Sequence, residues 1–193
     1  MFNLSAVLAE EKILVFGDSL SAGYGMSPSE SWVALLEQTL TNDYPQYEVV
    51  NASVSGETTV GGLKRLAAVL DHHRPKMVLI ELGGNDGLRG YPITRIRRNL
   101  QKMIDLAAAR QTQIVLIPIT LPPNYGRRYI EAIENMYQDL AQSNGLALTP
   151  NFLLEFADRP DLMQADGIHP SAAAQPIIFR TIWPTLLSLI ASG

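Results

Sequence analysis

The stretch Ile13-Leu14-Val15-Phe16-Gly17-Asp18-Ser19 constrains the chain more than any other. Its opening residues are apolar and rich in branched side chains, the pattern of a buried strand, and Gly17 ends that strand abruptly. Asp18 and Ser19 then stand where a strand hands over to a loop or helix start. In an open α/β sheet this is the carboxyl edge, where ligands collect. A serine placed there has its hydroxyl at the mouth of a cleft and its backbone N–H pointing the same way. Flanking glycines let the chain turn tightly and let a substrate approach the backbone. A plain βα turn, with Asp18 or Ser19 as helix N-cap, accounts for the same residues.

Beyond it, strands and helices alternate. Ser29 or Ser31 caps a helix over about 32–41, with Trp32, Leu35, Leu36 and Leu40 on one face. Residues 47–51 form a second strand. Thr58 or Thr59 starts a helix that carries Leu63, Leu66, Ala67 and Leu70 inward and stops before Pro75. A very apolar third strand, 77–82, runs directly into Gly83-Gly84-Asn85-Asp86-Gly87. A helix over about 94–110, a strand at 114–117, a Pro-rich loop at 121–128 and a helix through about 143 follow. A short strand at 146–148, a less regular segment and a last helix reaching 189 complete the chain. Near-continuous apolar strands alternating with helices predict a parallel sheet covered on both faces. With 193 residues, no internal repeat and no linker, one domain is expected.

Composition excludes several classes of function. A net charge of −4 leaves no electrostatic footprint for nucleic acid. The absence of cysteine removes disulfides, thiolate metal sites and a cysteine nucleophile. Residues 1–9 are mostly apolar and uncharged, and Val7-Leu8-Ala9 before Glu10 resembles the small-residue end of a secretory signal without its basic start. They read as a signal-peptide remnant or a disordered N-terminus, with 10–193 as the folded domain. The apolar run 177–190 is broken by Arg180 and Pro184 and is shorter than the roughly 20 residues of a membrane span, so stable insertion is not expected. Nothing indicates an oligomer.

Three loops carry chemistry, and each follows a predicted strand: Ser19 the first, Ser55-Gly56-Glu57 the second, Gly83-Gly84-Asn85-Asp86 the third. A topological switch point brings such loops to one crevice. The Asn85 amide is a donor suited to a developing negative oxygen, and Gly-Gly-Asn-Asp is also an ordinary turn. Gly56 is likewise either a tight turn or a backbone donor. Asp166 and His169 are close enough in sequence for the carboxylate to reach Nδ1–H and fix the tautomer, while a surface Asp–His contact is the bland alternative. His72 and His73 end a helix, where positive charge suits the dipole, and adjacent positions make a poor metal pair. Arg95, Arg97, Arg98 and Lys102 read as a solvated helix face, and Arg127 and Arg128 lie in the Pro-Gly loop near the crevice.

Taken together, Gly17-Asp18-Ser19-Leu20-Ser21, Asn51-Ala52-Ser53-Val54-Ser55-Gly56-Glu57-Thr58, Gly83-Gly84-Asn85-Asp86 and Asp166-Gly167-Ile168-His169-Pro170 resemble the four motif blocks of the SGNH (GDSL) hydrolase family. The runs 81–90 and 121–129 resemble its bacterial branch of multifunctional thioesterases, proteases, lysophospholipases and arylesterases. The resemblance implies a single-domain, three-layer α/β/α flavodoxin-like fold with five parallel strands ordered 2-1-3-4-5, and a periplasmic or secreted location. It implies a serine hydrolase of esters and thioesters with Ser19 as nucleophile, His169 as base and Asp166 as its orienting partner. The oxyanion donors are then Ser19, Gly56 and Asn85, with no metal and no cofactor. The substrate is a small ester or thioester with an acyl chain, held in a groove walled by Leu88, Tyr91, Pro122 and Tyr125. A carbohydrate acetyl esterase of the same fold, or a non-catalytic flavodoxin-like binding module, fits the same architecture. The lipase elbow G-x-S-x-G and the P-loop pattern are both absent.

Overall fold

The computed structural model describes residues 11–156 and 159–192. Residues 1–9, with their expected signal remnant or disordered start, lie outside that part. Strand β1 (Glu11–Gly17) runs through the middle of the molecule, and Ile13 to Phe16 are wholly buried. It pairs in parallel with β2 (Tyr47–Asn51) on one side and β3 (Met77–Glu81) on the other, so that Val15 stands between Asn51 and Leu79. β4 (Gln113–Leu116) and the two-residue β5 (Ala147–Leu148) extend the sheet beyond β3, giving the order 2-1-3-4-5. The direction of chain progression reverses between β1 and β3, and the crevice of such a sheet opens there.

Helices cover both faces. α2 (Trp32–Asp43) packs on α7 (Gln175–Ser192) on one side. On the other, α3 (Thr59–His73) packs on α5 (Ile93–Ala108), and α5 on α6 (Arg127–Asn144). This is a single-domain, three-layer α/β/α arrangement. Ser31 caps α2 by accepting the Ala34 N–H, and Thr58 caps α3 by accepting the Gly61 N–H. Leu66 and Leu70 of α3 are buried as the periodicity requires, while Leu63 and Ala67 are half-buried, because Gly62 takes the closest approach to the sheet at Leu82.

Two elements depart from the sequence reading. The Gly-Gly-Asn-Asp stretch is a short helix, α4 (Gly84–Leu88), rather than a turn. Gly83 makes it possible: at φ +127° the chain turns sharply, and a Cβ there would strike the Tyr137 hydroxyl. The last helix, expected to reach 189, starts only at Gln175, after the tight turn Ala172–Ala174, and runs through Pro184 to Ser192. No helix among the described residues is long and apolar enough to cross a membrane.

Candidate active site

The site is built on the carboxyl edge between β1 and β3. Where β1 ends, Asp18 caps the short helix α1 (Ser19–Ala22) by accepting the Leu20 N–H at 3.1 Å. The cap reading and the reading of a serine at a cleft are therefore compatible: the cap holds the helix whose first residue is Ser19. Ser19 is mostly buried, and its Oγ lies 2.9 Å from His169 Nε2. Nδ1 of the same ring lies 2.7 Å from Asp166 Oδ2, while Asp166 Oδ1 accepts the N–H groups of Ile168 (2.9 Å) and His169 (3.0 Å). A carboxylate at Nδ1 keeps the proton on that nitrogen and leaves Nε2 as an acceptor for the serine hydroxyl. The His169 backbone N–H, reinforced by its ring, holds the Asp166 carboxyl at about 2, below its ordinary 3.8.

The histidine loop is anchored to the serine loop. Gln164 donates its backbone N–H to the His169 carbonyl at 2.7 Å, and its side-chain amide to the carbonyls of Tyr24 (2.8 Å) and Pro170 (3.1 Å). The Tyr24 ring lies over the imidazole with centroids 4.4 Å apart. Sequence reasoning did not single out either residue, because neither belongs to a motif block.

Asn85, on α4, faces the same cavity, and its Nδ2 donates to Asp18 Oδ2 at 2.9 Å. Its neighbour Asp86 is fully buried and accepts both the backbone N–H (2.7 Å) and the hydroxyl (2.6 Å) of Thr59, which also accepts from Asn99 at 2.9 Å. That network locks the start of α3 to α4. Gly56 is exposed at φ +77° and does not line the cavity. Its loop is sewn to the serine turn, with the Val54 N–H on the Gly17 carbonyl (3.0 Å) and the Gly17 N–H on Ser53 Oγ (3.1 Å).

A cavity of about 980 Å³ opens beside Ser19, Asn85 and His169. Leu88 and Pro122 line it. Tyr91 and Tyr125 do not: the Tyr125 hydroxyl donates to the Leu88 carbonyl at 3.0 Å, and Tyr91 lies under the Arg95 guanidinium, its carbonyl accepting from Tyr129 at 2.6 Å. Tyr125 thereby braces the wall at Leu88 from behind. Sequence reasoning missed the opposite wall, where Leu153, Phe156, Met163 and Ile168 project from the tight turns Phe152–Phe156 and Pro160–Leu162 and the loop after them. Such turns leave no period of 2 or 3.6 to read. Among the described residues, no group of three or more His, Asp or Glu side chains is arranged to hold a metal ion.

The chain is similar to known proteins over most of its length. The chain is 47 % identical over 187 residues to the esterase TesA of Pseudomonas aeruginosa, covering 97 % of this chain and 93 % of that protein. It is 46 % identical over 170 residues to thioesterase 1/protease 1/lysophospholipase L1 of Escherichia coli, covering 88 % and 80 %. The crystal structure of the psychrotrophic esterase EstA from Pseudoalteromonas, inhibited by monoethylphosphonate, superposes with a TM-score of 0.89 at 37 % identity, covering 94 % of this chain and all of that one. Residues 15–176 match the GDSL-like lipase/acylhydrolase model, a span that holds Ser19, Asn85, Asp166 and His169, and the chain belongs to that family.

Proposed function

We propose that this protein hydrolyses carboxylic esters and thioesters bearing an acyl chain through an acyl-enzyme on Ser19. The observation that carries this reading is the unbroken hydrogen-bonded line from Ser19 Oγ through His169 to Asp166 at the mouth of an apolar cavity. Ser19 Oγ attacks the acyl carbonyl as His169 Nε2 takes its proton, and Asp166 stabilises the imidazolium. The backbone N–H of Ser19 and the Asn85 amide, both of which line the cavity, hold the tetrahedral oxyanion. Collapse expels the alcohol or thiol, which receives the proton from His169. Water then attacks the acyl-enzyme by the same route and releases the acid and the free serine.

The apolar walls at Leu88, Leu153 and Phe156 favour a chain of several methylenes over the acetyl group of a sugar ester. Relatives named as esterase and thioesterase support both kinds of leaving group. The ending Val7-Leu8-Ala9 supports a periplasmic or secreted location, which fractionation of the native host tests.

A fluorophosphonate probe should label Ser19 alone, and Ser19→Ala should neither be labelled nor hydrolyse a p-nitrophenyl ester. Labelling that survives in Ser19→Ala rules the mechanism out. A panel of esters and thioesters graded by acyl length then defines the substrate range.

A further inference from the structure

Glu81 ends β3 directly under the serine turn, and the mechanism above does not use it. Its side chain is wholly buried, and a lone buried carboxylate requires a counter-charge or a full set of donors. It has neither. Oε2 accepts the Ser21 hydroxyl at 2.8 Å and, at 3.3 Å, the Asp18 N–H, while Oε1 is buried and takes no hydrogen bond from any donor. The titratable groups around the pair are Asp18 itself on the serine turn, Asp86 on α4, the Tyr137 phenol of α6 and, across Asp18, His169. No lysine or arginine is among them.

The close approach is built into the backbone. A Cβ at Gly17 would stand 2.6 Å from Glu81 Oε2 and 2.9 Å from Ser21 Oγ, so only glycine lets β1 end here with Glu81 against the turn. On the far side, Asp18 spends one oxygen on the Leu20 N–H and the other on the Asn85 amide. Asn85 has two amide hydrogens, and fixing one on Asp18 turns the other toward the cavity.

We infer that Glu81 is a positioning residue for the oxyanion hole: it carries the proton of an Asp18–Glu81 pair, donates it in a hydrogen bond to the Asp18 carboxylate, and so fixes the acceptor that aims Asn85. The inference rests on Asn85 being an oxyanion donor. A protonated Glu81 explains why Oε1 has no donor and why a wholly buried carboxyl lies against Asp18 without a cation. It also keeps a second negative charge away from the floor of a site where an oxyanion must develop. Burial raises the pKa of both carboxyls, and the charge on Asp18 raises that of Glu81 further.

The test uses the whole chain, with active sites titrated by the fluorophosphonate. Glu81→Met removes both acceptor and donor at similar volume, and kcat should fall about tenfold or more with KM little changed. Glu81→Gln restores most of that loss, since an amide both accepts from Ser21 and donates to Asp18. In the Glu81→Met background, Asn85→Ala should cost at least about tenfold less than in the wild type, because an unaimed amide has little left to lose. Independently of activity, the infrared difference between wild type and Glu81→Gln at neutral pH should show the carbonyl band of a protonated carboxylic acid. Wild-type kcat in Glu81→Met, an undiminished Asn85→Ala cost in that background, or no acid band would each overturn the inference. If Glu81→Met does not fold, the band alone decides. Failure of Ser19 labelling in the wild type is a separate outcome, which sinks the hydrolase reading rather than the carboxyl pair.

Discussion

Asn85 stands half-buried on the first turn of α4, one amide hydrogen held by Asp18 and the cavity before it. Loss of one oxyanion donor typically costs about 100- to 1000-fold in turnover, so Asn85→Ala should lower kcat by that order and leave the thermal melt in place. Near-wild-type turnover of a short p-nitrophenyl ester would remove Asn85 from the role. Asp166 gives a pH dependence whose sign is fixed. Its carboxyl is held at about 2 in the folded chain against an ordinary 3.8, so the folded state binds fewer protons over that interval. Its stabilising contribution is complete above 3.8 and fades as pH falls through about 2. The melting-temperature gap between wild type and Asp166→Asn should therefore be level near neutrality and close on acidification, as calorimetry across that range can measure. At this scale the sequence was informative where chemistry follows a motif, as for Ser19, Asn85, Asp166 and His169. It assigned no role to Glu81, which is enclosed by Gly17 at the end of β1 and Ser21 on α1.

Among the elements, β1 to β4 were legible because buried parallel strands read as apolar runs, and α2, α3 and α5 because their apolar positions recur with helical spacing. α4 was not. Two glycines ahead of Asn-Asp have the composition of a turn, and the Asp86–Thr59 network that ties the helix to α3 is a contact 27 residues apart in sequence. The caps were narrowed to two candidates each. Ser31 and Thr58 are the ones used, Ser31 almost wholly buried with its hydroxyl donating to the Pro28 carbonyl at 2.8 Å while it accepts from Ala34 at 3.2 Å. Ser31→Ala should cost about 1 kcal/mol, a drop of roughly 2–4 °C in Tm for a domain of this size, with kcat unchanged. A variant that keeps its melting temperature would show that this cap adds nothing.

For the molecule as a whole, the strand order 2-1-3-4-5 is the one the family resemblance implied, and the three loops fall on one edge because each follows a parallel strand. The cavity could not be drawn in the same way. Its second wall comes from irregular turns after β5, the first of which, Phe152–Phe156, packs against α7. Filling that wall tests whether it holds the acyl chain. Leu153→Trp should shorten the longest ester hydrolysed while sparing acetate esters, read from kcat/KM against chain length. An unchanged length profile would move the chain elsewhere.

The hydrogen bond between Ser19 and His169 joins residues 150 positions apart. A ribosome delivers the hydroxyl well before the imidazole. While β1 to β4 are already leaving the exit tunnel, the serine has no base and cuts nothing. A chain cut short before His169 should therefore hydrolyse no ester, which expression of the truncated polypeptide checks.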